Sequence, residues 1–128
     1  MAKQSIPRPT DAELAILRVL WQRGPSTVSE VRTELNRKRP TGYTTVLKLL
    51  QIMTEKGSVK RDETSRTHVY QASLSEDQTQ KQLISDLMKR AFEGSACKLV
   101  MQALSTKKAS GKELAQIREL LDEIEGGR

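Results

Sequence analysis

Apolar residues at helical spacing predict three helices in the first half of the chain. The first helix starts at a capping-box sequence, residues 10–13 (TDAE), and ends at Gly24 and Pro25, and the second starts at a similar box, residues 27–30 (TVSE). Trp21 stands among aliphatic neighbours, which favours a core anchor over an exposed stacking platform. The residues predicted to face inward are Leu14, Ile16, Leu17, Val19, Leu20, Trp21, Val28, Val31 and Leu35.

The third predicted helix, residues 41–57, has an apolar side and a hydrogen-bonding side. Thr41 is its predicted N-cap, and Gly57 can take the left-handed conformation at which many helices end. Three cations and a proline, residues 37–40 (RKRP), come immediately before it. The apolar side carries Val46, Leu49, Leu50 and Met53, whereas Thr44, Thr45, Lys48, Gln51 and Glu55 lie largely off it.

A helix of this kind has the features that reading DNA requires, namely hydrogen-bonding groups near its N-terminus and positive charge close by to meet phosphate. The alternative is an ordinary surface helix with a solvated polar side. In the DNA-reading interpretation Thr44, Thr45 and Lys48 face base edges, and Tyr43 lies against the DNA backbone or a thymine methyl. The other predicted DNA-contacting residues are Arg37, Lys38, Arg39, Thr41, Arg61, Arg66 and His68.

After the third helix the pattern changes to two short strands. Residues 58–62 and 67–72 flank a polar turn, residues 63–66, and predict a two-stranded hairpin. Three helices followed by a hairpin is the order of a winged helix-turn-helix, in which the hairpin is the wing. An isolated hairpin is only marginally stable, so we expect this one to pack on the helices. Its cationic side chains, suited to phosphate or the minor groove but also typical of solvated surface, are Lys60, Arg61, Arg66 and His68.

The second half of the chain is helical in pattern throughout. Boxes at residues 75–78 and 110–113, a break at Gly94 and a cap at Ser95 divide it into three helices. These helices have too little mutual surface to bury their apolar positions, whereas a second copy of the chain would cover them. We therefore predict a homodimer through residues Leu83, Leu87, Phe92, Leu99, Val100, Leu104, Leu114, Ile117 and Leu121.

The predicted fold is mainly α with a small β-hairpin, and it comprises two domains. Residues 1–74 form a winged-helix DNA-binding domain with a loose basic leader, residues 1–9, and residues 75–128 form a helical dimerisation domain. The charge supports this division. The 128-residue chain carries a net charge of +6, and residues 1–74 hold 13 basic and 7 acidic side chains, so the whole excess lies there. A polyanion-binding module joined to a neutral module is the expected result.

Several other functions are disfavoured by the sequence. No stretch approaches the length of an apolar membrane span and no secretory signal is visible, which predicts a cytoplasmic protein without membrane insertion. The single cysteine, Cys97, is interpreted as a small packed residue, with a redox sensor as the lesser alternative. No catalytic triad, zinc-protease motif or phosphate loop appears, and the single histidine, His68, lies on the wing, so we predict no enzyme, metal or cofactor. A protein-binding adaptor remains the alternative to a DNA-binding protein.

The order of these motifs resembles the BlaI/MecI penicillinase-repressor family over residues 10 to 124. The similar segments are AELAILRVLW, TVSEVRTEL, TTVLKLLQIMTEKG, HVY and AFEGSACKLVMQAL. The resemblance implies a dimeric winged-helix repressor on a palindromic operator with TACA and TGTA half-sites. It also implies release through cleavage triggered by a membrane metallopeptidase sensor, with Gln102 and Ala103 at the position of the family's cleaved bond.

The chain departs from the family pattern at positions that matter for recognition. Thr41 replaces a tryptophan before the recognition helix, and Thr44 and Leu47 replace a lysine and an arginine within it. Leu47 cannot hydrogen-bond a base edge, so the operator sequence is expected to differ. The cleaved bond of the family joins an asparagine to a phenylalanine, a pair that Gln102 and Ala103 do not reproduce. The chain ends in EIEGGR, without the Cys-x-Cys cluster of the copper-responsive branch.

Overall fold

A computed structural model of the chain describes residues 6–127, so the first half of the predicted leader lies outside the described residues. Two compact units are present, one extending to Ile84 and the other starting at Ser85. The elements are α1 (Asp11–Arg23), α2 (Val28–Asn36), α3 (Tyr43–Lys56), β1 (Val59–Asp62), β2 (Val69–Ala72), α4 (Glu76–Ala91), α5 (Ala96–Thr106) and α6 (Gly111–Gly126). The prediction of a mainly α protein with one hairpin is confirmed.

The predicted helix starts are confirmed at four capping boxes. At the start of α1 the Thr10 hydroxyl accepts from the Glu13 N–H at 3.2 Å, and the Glu13 carboxylate accepts from the Thr10 N–H at 3.0 Å. The same reciprocal pairs form at the boxes that open α2, α4 and α6. Ser95 caps α5 by accepting from the Lys98 N–H at 3.1 Å. Each cap satisfies donors that the first turn leaves unpaired and contributes about 1 kcal/mol.

The prediction that Thr41 is the N-cap of α3 is wrong. The N-cap is Gly42, which makes no side-chain capping bond, and α3 starts at Tyr43. The Thr41 hydroxyl instead donates back to the Arg39 carbonyl at 3.1 Å, and the Thr41 N–H donates to the Asn36 side chain. Thr41 is therefore committed to the turn between α2 and α3, one residue too early to cap the helix.

The predicted end of α3 at Gly57 is confirmed. Gly57 has a φ of +87° and a ψ of 4°, in the left-handed region that favours glycine, and the next N–H, from Ser58, donates to the Met53 carbonyl at 2.9 Å. The chain turns here and enters β1 two residues later. Gly57 thus joins α3 to the hairpin.

The core of the first unit lies between α1, α2, α3 and the hairpin. Its buried apolar residues are Ile16, Leu17, Val19, Leu20, Val28, Val31, Val46, Leu50, Met53, Val59 and Tyr70. Leu14, Trp21, Leu35 and Leu49 pack at its edge and are partly buried. Trp21 is a core anchor, as predicted, and its indole N–H donates to the Leu74 carbonyl at 3.0 Å. This bond connects α1 to the segment that leads into α4.

The hairpin is antiparallel, with Val59 opposite Ala72 and Asp62 opposite Val69. A single residue outside it, Ser26, extends the pairing: the Ser26 N–H donates to the Tyr70 carbonyl at 2.9 Å, and the Tyr70 N–H donates to the Ser26 carbonyl at 2.8 Å. Ser26 belongs to the α1–α2 connection and is fully buried. The hairpin is thereby fixed to the helices by backbone bonds as well as by packing. A two-stranded hairpin needs such support because it is only marginally stable by itself.

The second unit has no buried residue among those described, residues 85–127. Met101 is 62% exposed and Ile124 is 59% exposed, although both are large and apolar. Cys97 is also exposed, so its interpretation as a packed residue is wrong for the single chain. Across residues 6–127 no helix is long and apolar enough to cross a bilayer.

Replacing Trp21 with Phe is expected to lower the free energy of unfolding by about 1–2 kcal/mol, because the Leu74 carbonyl loses its donor and the core edge loses part of a ring. Urea denaturation followed by far-ultraviolet circular dichroism measures this change, since the substitution removes the only tryptophan. Tyr43→Phe, at a residue that is 48% exposed, is the control and should stay within about 0.5 kcal/mol of the parent protein. Equal stability of both variants would contradict the anchoring role of Trp21.

Candidate nucleic-acid interface

Helix α3 has the two sides that its sequence predicts. Val46, Leu50 and Met53 are fully buried, so the helix is held against the core along one side. Leu47 is partly buried and packs against the core, which removes it from the outward side. The exposed residues are Tyr43, Thr44, Thr45, Lys48, Gln51 and Glu55, which place hydroxyl, amine, amide and carboxylate groups on the outward side.

The turn between α2 and α3 carries the predicted run of cations. Backbone bonds shape it: the Lys38 N–H donates to the Leu35 carbonyl at 3.1 Å, and the Arg39 N–H donates to the same carbonyl at 3.3 Å. Arg37 forms an ion pair with Glu34 at 3.4 Å. Lys38 and Arg39 are exposed, and neither forms an ion pair with any residue in the range 6–127. These two cations are the ones that remain available for an external anion.

Two residues that the sequence interpretation missed hold this turn in place. Asn36 accepts from the Thr41 N–H through its side chain, and the Arg32 Nε–H donates to the Thr41 carbonyl at 3.1 Å. Both bonds join α2 to Thr41, which precedes α3. They fix the approach to the N-terminus of α3, where Tyr43, Thr44 and Thr45 lie, and no short motif marks such a pair.

The basic residues of the wing differ in their surroundings. Arg61 is tied to Glu63 at 2.6 Å, and the Glu63 carboxylate together with the Tyr70 side chain raises the pKa of the Arg61 guanidinium. Lys60, Arg66 and His68 are exposed and pair with no acidic group in the described part of the chain. Arg66 lies at the tip of the hairpin, whereas Arg61 is already neutralised in the unbound protein.

The acidic side chains of the wing have structural partners. The Thr64 N–H donates to the Asp62 carboxylate at 2.9 Å and the Thr64 hydroxyl donates at 2.7 Å, and these bonds lower the pKa of Asp62. Asp62 therefore stays ionised and closes the turn. The Glu63 side chain forms an ion pair and a hydrogen bond with Arg61 and therefore neutralises a cation.

Replacing Glu63 with Gln is expected to raise affinity for operator and random DNA alike by about two- to fivefold, because it removes a negative charge near the phosphates and releases the Arg61 guanidinium. Fluorescence anisotropy on both duplexes at two salt concentrations measures the change. Glu119→Gln, an equal charge change in the exposed part of α6, is the control and should leave both affinities unchanged. Weaker binding by Glu63→Gln would indicate that Arg61 contacts DNA only in the orientation that Glu63 gives it.

Comparison with known proteins agrees with this geometry. The penicillinase repressor family model matches residues 9–123. The transcriptional regulator BlaI of Mycobacterium tuberculosis is 30% identical over 128 residues, covering 99% of this chain and 91% of the relative. The penicillinase repressor of Bacillus licheniformis is 24% identical over 120 residues, covering 94% of each chain.

A solved structure of a relative bound to DNA also matches more than half of the chain. The solution structure of monomeric Bacillus licheniformis BlaI in complex with the blaP half-operator has 27% sequence identity and a TM-score of 0.50, and the match covers 57% of this chain and 89% of that one. The family model spans most of the chain, and the structural match to a DNA-bound relative covers more than half of it. The protein therefore belongs to the penicillinase repressor family and is a DNA-binding transcriptional repressor rather than an enzyme.

Proposed function

We propose that this repressor binds a palindromic operator as a homodimer, with α3 of each subunit in the major groove of one half-site. The observation that carries the proposal is the structure of α3, whose outward hydrogen-bonding side is backed by fully buried Val46, Leu50 and Met53. A recognition helix must be held rigidly from behind while its N-terminal residues meet base edges. The half-operator bound by a monomeric relative supports one winged helix per half-site.

We divide the predicted contacts by their chemistry. Thr44, Thr45 and Lys48 contact base edges, since they are exposed near the start of α3, and Tyr43 lies against the backbone or a thymine methyl. Cations of the turn and the wing neutralise phosphates. Lys38, Arg39 and Arg66 have no competing carboxylate among the described residues. Arg37 and Arg61 must first give up their ion pairs with Glu34 and Glu63. Thr41 and His68 are the peripheral members of this surface. Because Leu47 packs inward and Thr44 is short, the operator is expected to differ from TACA and TGTA half-sites.

Dimerisation is assigned to residues 75–128, and DNA binding to residues 1–74. The apolar side chains of the second unit are partly or largely exposed in the single chain, which is unfavourable unless something covers them. A second copy covers each patch with the same patch and also sets the distance between the two α3 helices. Half-sites should then lie about one helical turn, ~10 base pairs, or a small multiple of it apart. The proposed contact residues are Leu83, Leu87, Phe92, Leu99, Val100, Leu104, Leu114, Ile117 and Leu121.

The test is selection of duplexes from a random-sequence library by the purified full chain, followed by gel shifts at two salt concentrations. Recovery of an inverted repeat bound more tightly than bulk genomic DNA is the expected result. Binding that falls with salt equally for every sequence would leave only non-specific attraction to polyanions and would refute the proposal. Such a DNA-binding protein acts where the chromosome lies, in the cytoplasm.

Relief of repression is proposed to follow signal-triggered proteolysis, with a membrane metallopeptidase sensor as the upstream partner. The candidate bond, between Gln102 and Ala103, lies inside α5, and both residues are exposed. A protease needs an extended segment, so α5 must open locally before cleavage. In the single chain α5 has no buried residue that would oppose this opening, whereas in the proposed dimer Leu99, Val100 and Leu104 would have to leave the contact. Mass spectrometry of the protein from induced cells should show a fragment that ends at Gln102. An intact chain under full induction would contradict this route.

A further inference from the structure

A partly buried ion pair joins the first turn of α1 to the last turn of α3. The Glu13 carboxylate, on a residue that is only 3% exposed, accepts from the Lys56 ammonium at 2.8 Å. The two residues are 43 positions apart in the chain. Lys56 is the last residue of α3 and immediately precedes Gly57, where the chain turns towards the wing. The pair therefore fixes the end of α3 that lies furthest from the proposed base contacts.

Both carboxylate oxygens of Glu13 accept hydrogen bonds. One carboxylate oxygen accepts from the Thr10 N–H at 3.0 Å and the other accepts from Lys56. Burial alone would raise the pKa of Glu13, but the hydrogen bonds from Lys56 and the Thr10 backbone outweigh burial and lower the pKa. The carboxylate is consequently ionised at neutral pH and acts as a fixed negative point at the N-terminus of α1.

Along its length α3 packs on the core through the apolar side chains of Val46, Leu50 and Met53, and the polar bonds of Asn36 and Arg32 act on Thr41, before the helix begins. Apolar packing allows small rotations and shifts along the helix axis at modest cost. A charged pair at 2.8 Å tolerates much less displacement, because its energy depends on distance and on hydrogen-bond angle. The pair also acts at the far end of the helix, so a small displacement there changes the angle at which the N-terminal residues point outward.

We propose that Glu13 and Lys56 are positioning residues for operator discrimination: they orient α3 so that Thr44, Thr45 and Lys48 meet base edges, without contacting DNA themselves. This inference rests on the proposed role of α3. Discrimination is more sensitive to orientation than non-specific binding, because base contacts need hydrogen-bond geometry whereas phosphates attract cations over longer distances. Loss of the pair should therefore reduce the preference for operator and spare binding to random DNA.

The test variant is Glu13→Gln combined with Lys56→Met, which removes both charges and so leaves neither one without its partner. The new amide oxygen can still accept from the Thr10 N–H, so the cap is kept. Anisotropy titrations compare a selected inverted repeat with a random duplex, at a temperature where circular dichroism shows each protein folded. Operator affinity should fall about tenfold and random-duplex affinity by less than about twofold.

Two further variants separate orientation from stability. Thr10→Ala weakens the α1 cap but leaves the contact between Glu13 and Lys56. It should keep the parent protein's ratio of operator to random-duplex affinity, even if its melting temperature falls as far as that of the double variant. Lys56→Arg keeps the charge and should also retain the ratio. An unchanged ratio in the double variant, or an equal loss in Thr10→Ala, overturns the inference.

The remaining outcomes are also decisive. If the double variant is unfolded at every usable temperature, the ratio for Glu13→Gln alone, which keeps the cap and all apolar contacts, decides the question. A parent protein that shows no operator preference would refute the proposed function itself. If the parent protein prefers the operator over random duplex and every variant keeps the same preference, only the positioning role of Glu13 and Lys56 is refuted.

Discussion

Replacing Leu121 with Glu is expected to convert the proposed dimer into a monomer and to lower operator affinity by about 100-fold. Leu121 is 53% exposed on α6 in the single chain and lies in the proposed dimer contact. A carboxylate there would have to be desolvated between two apolar surfaces, and symmetry places two such charges in the interface. A monomer binds one half-site only, so it loses the gain that comes from holding the second winged helix close to the second half-site.

Sedimentation velocity at micromolar concentration measures the first effect, and a gel shift on a full inverted repeat measures the second. The control is Gln116→Glu, which adds the same charge to an exposed polar position of α6. That variant should stay dimeric and bind as the parent protein does. A parent protein that sediments as a monomer would exclude the dimer proposal directly, and a monomeric Leu121→Glu variant with full operator affinity would exclude its role in binding.

Features that depend on neighbours within one turn of helix could be predicted from the sequence. The capping boxes at Thr10, Thr27 and Ser110 formed as expected, because a hydroxyl and a carboxylate three residues apart reach each other's backbone N–H in any helix start. The buried side of α3 followed equally from the helical period, since Val46, Leu50 and Met53 must share one side.

Features that depend on distant residues could not be predicted in the same way. The sequence pattern predicts that Thr41 caps α3, but a hydroxyl has several acceptors and donors within reach, and the tight turn held by Asn36 and Arg32 decides which one it meets. The bridge between Ser26 and Tyr70 leaves no periodic pattern in the sequence, because only a single residue, Ser26, pairs with the hairpin there. The Glu13–Lys56 pair joins positions that only the packed fold brings together, and each residue alone reads as an ordinary helix-end charge.

The candidate interface shows the same division. Periodicity and charge identified the outward residues of α3 and the cationic turn, and the exposure of Thr44, Thr45 and Lys48 agrees with that prediction. From the sequence, Arg61 and Arg66 are both predicted to neutralise phosphates, whereas in the structure only Arg61 of the two pairs with a carboxylate, that of Glu63. Which cations are already neutralised depends on side-chain positions across a turn, so composition does not reveal it.

Lys48→Ala and Arg66→Ala are expected to weaken operator binding in different ways. Lys48 lies on the outward side of α3, so its loss should cost about 1–3 kcal/mol on the operator and relax the preference at one base pair. Arg66 lies at the wing tip and makes no ion pair with another described residue, so its loss should weaken all sequences alike. It should also reduce the slope of log affinity against log salt by about 0.9 for each phosphate contact removed.

The measurement is a set of titrations on the operator, on operators with single base-pair changes and on random duplex, each at several salt concentrations. Lys112→Ala, an equal charge change at an exposed position of the second unit, is the control for net charge and should change neither the affinity ratio nor the slope appreciably. If Lys48→Ala lost the same factor on operator and random duplex, Lys48 would be a phosphate contact. Base reading would then be left to Thr44 and Thr45, whose hydroxyls discriminate less strongly than a charged donor aimed at guanine.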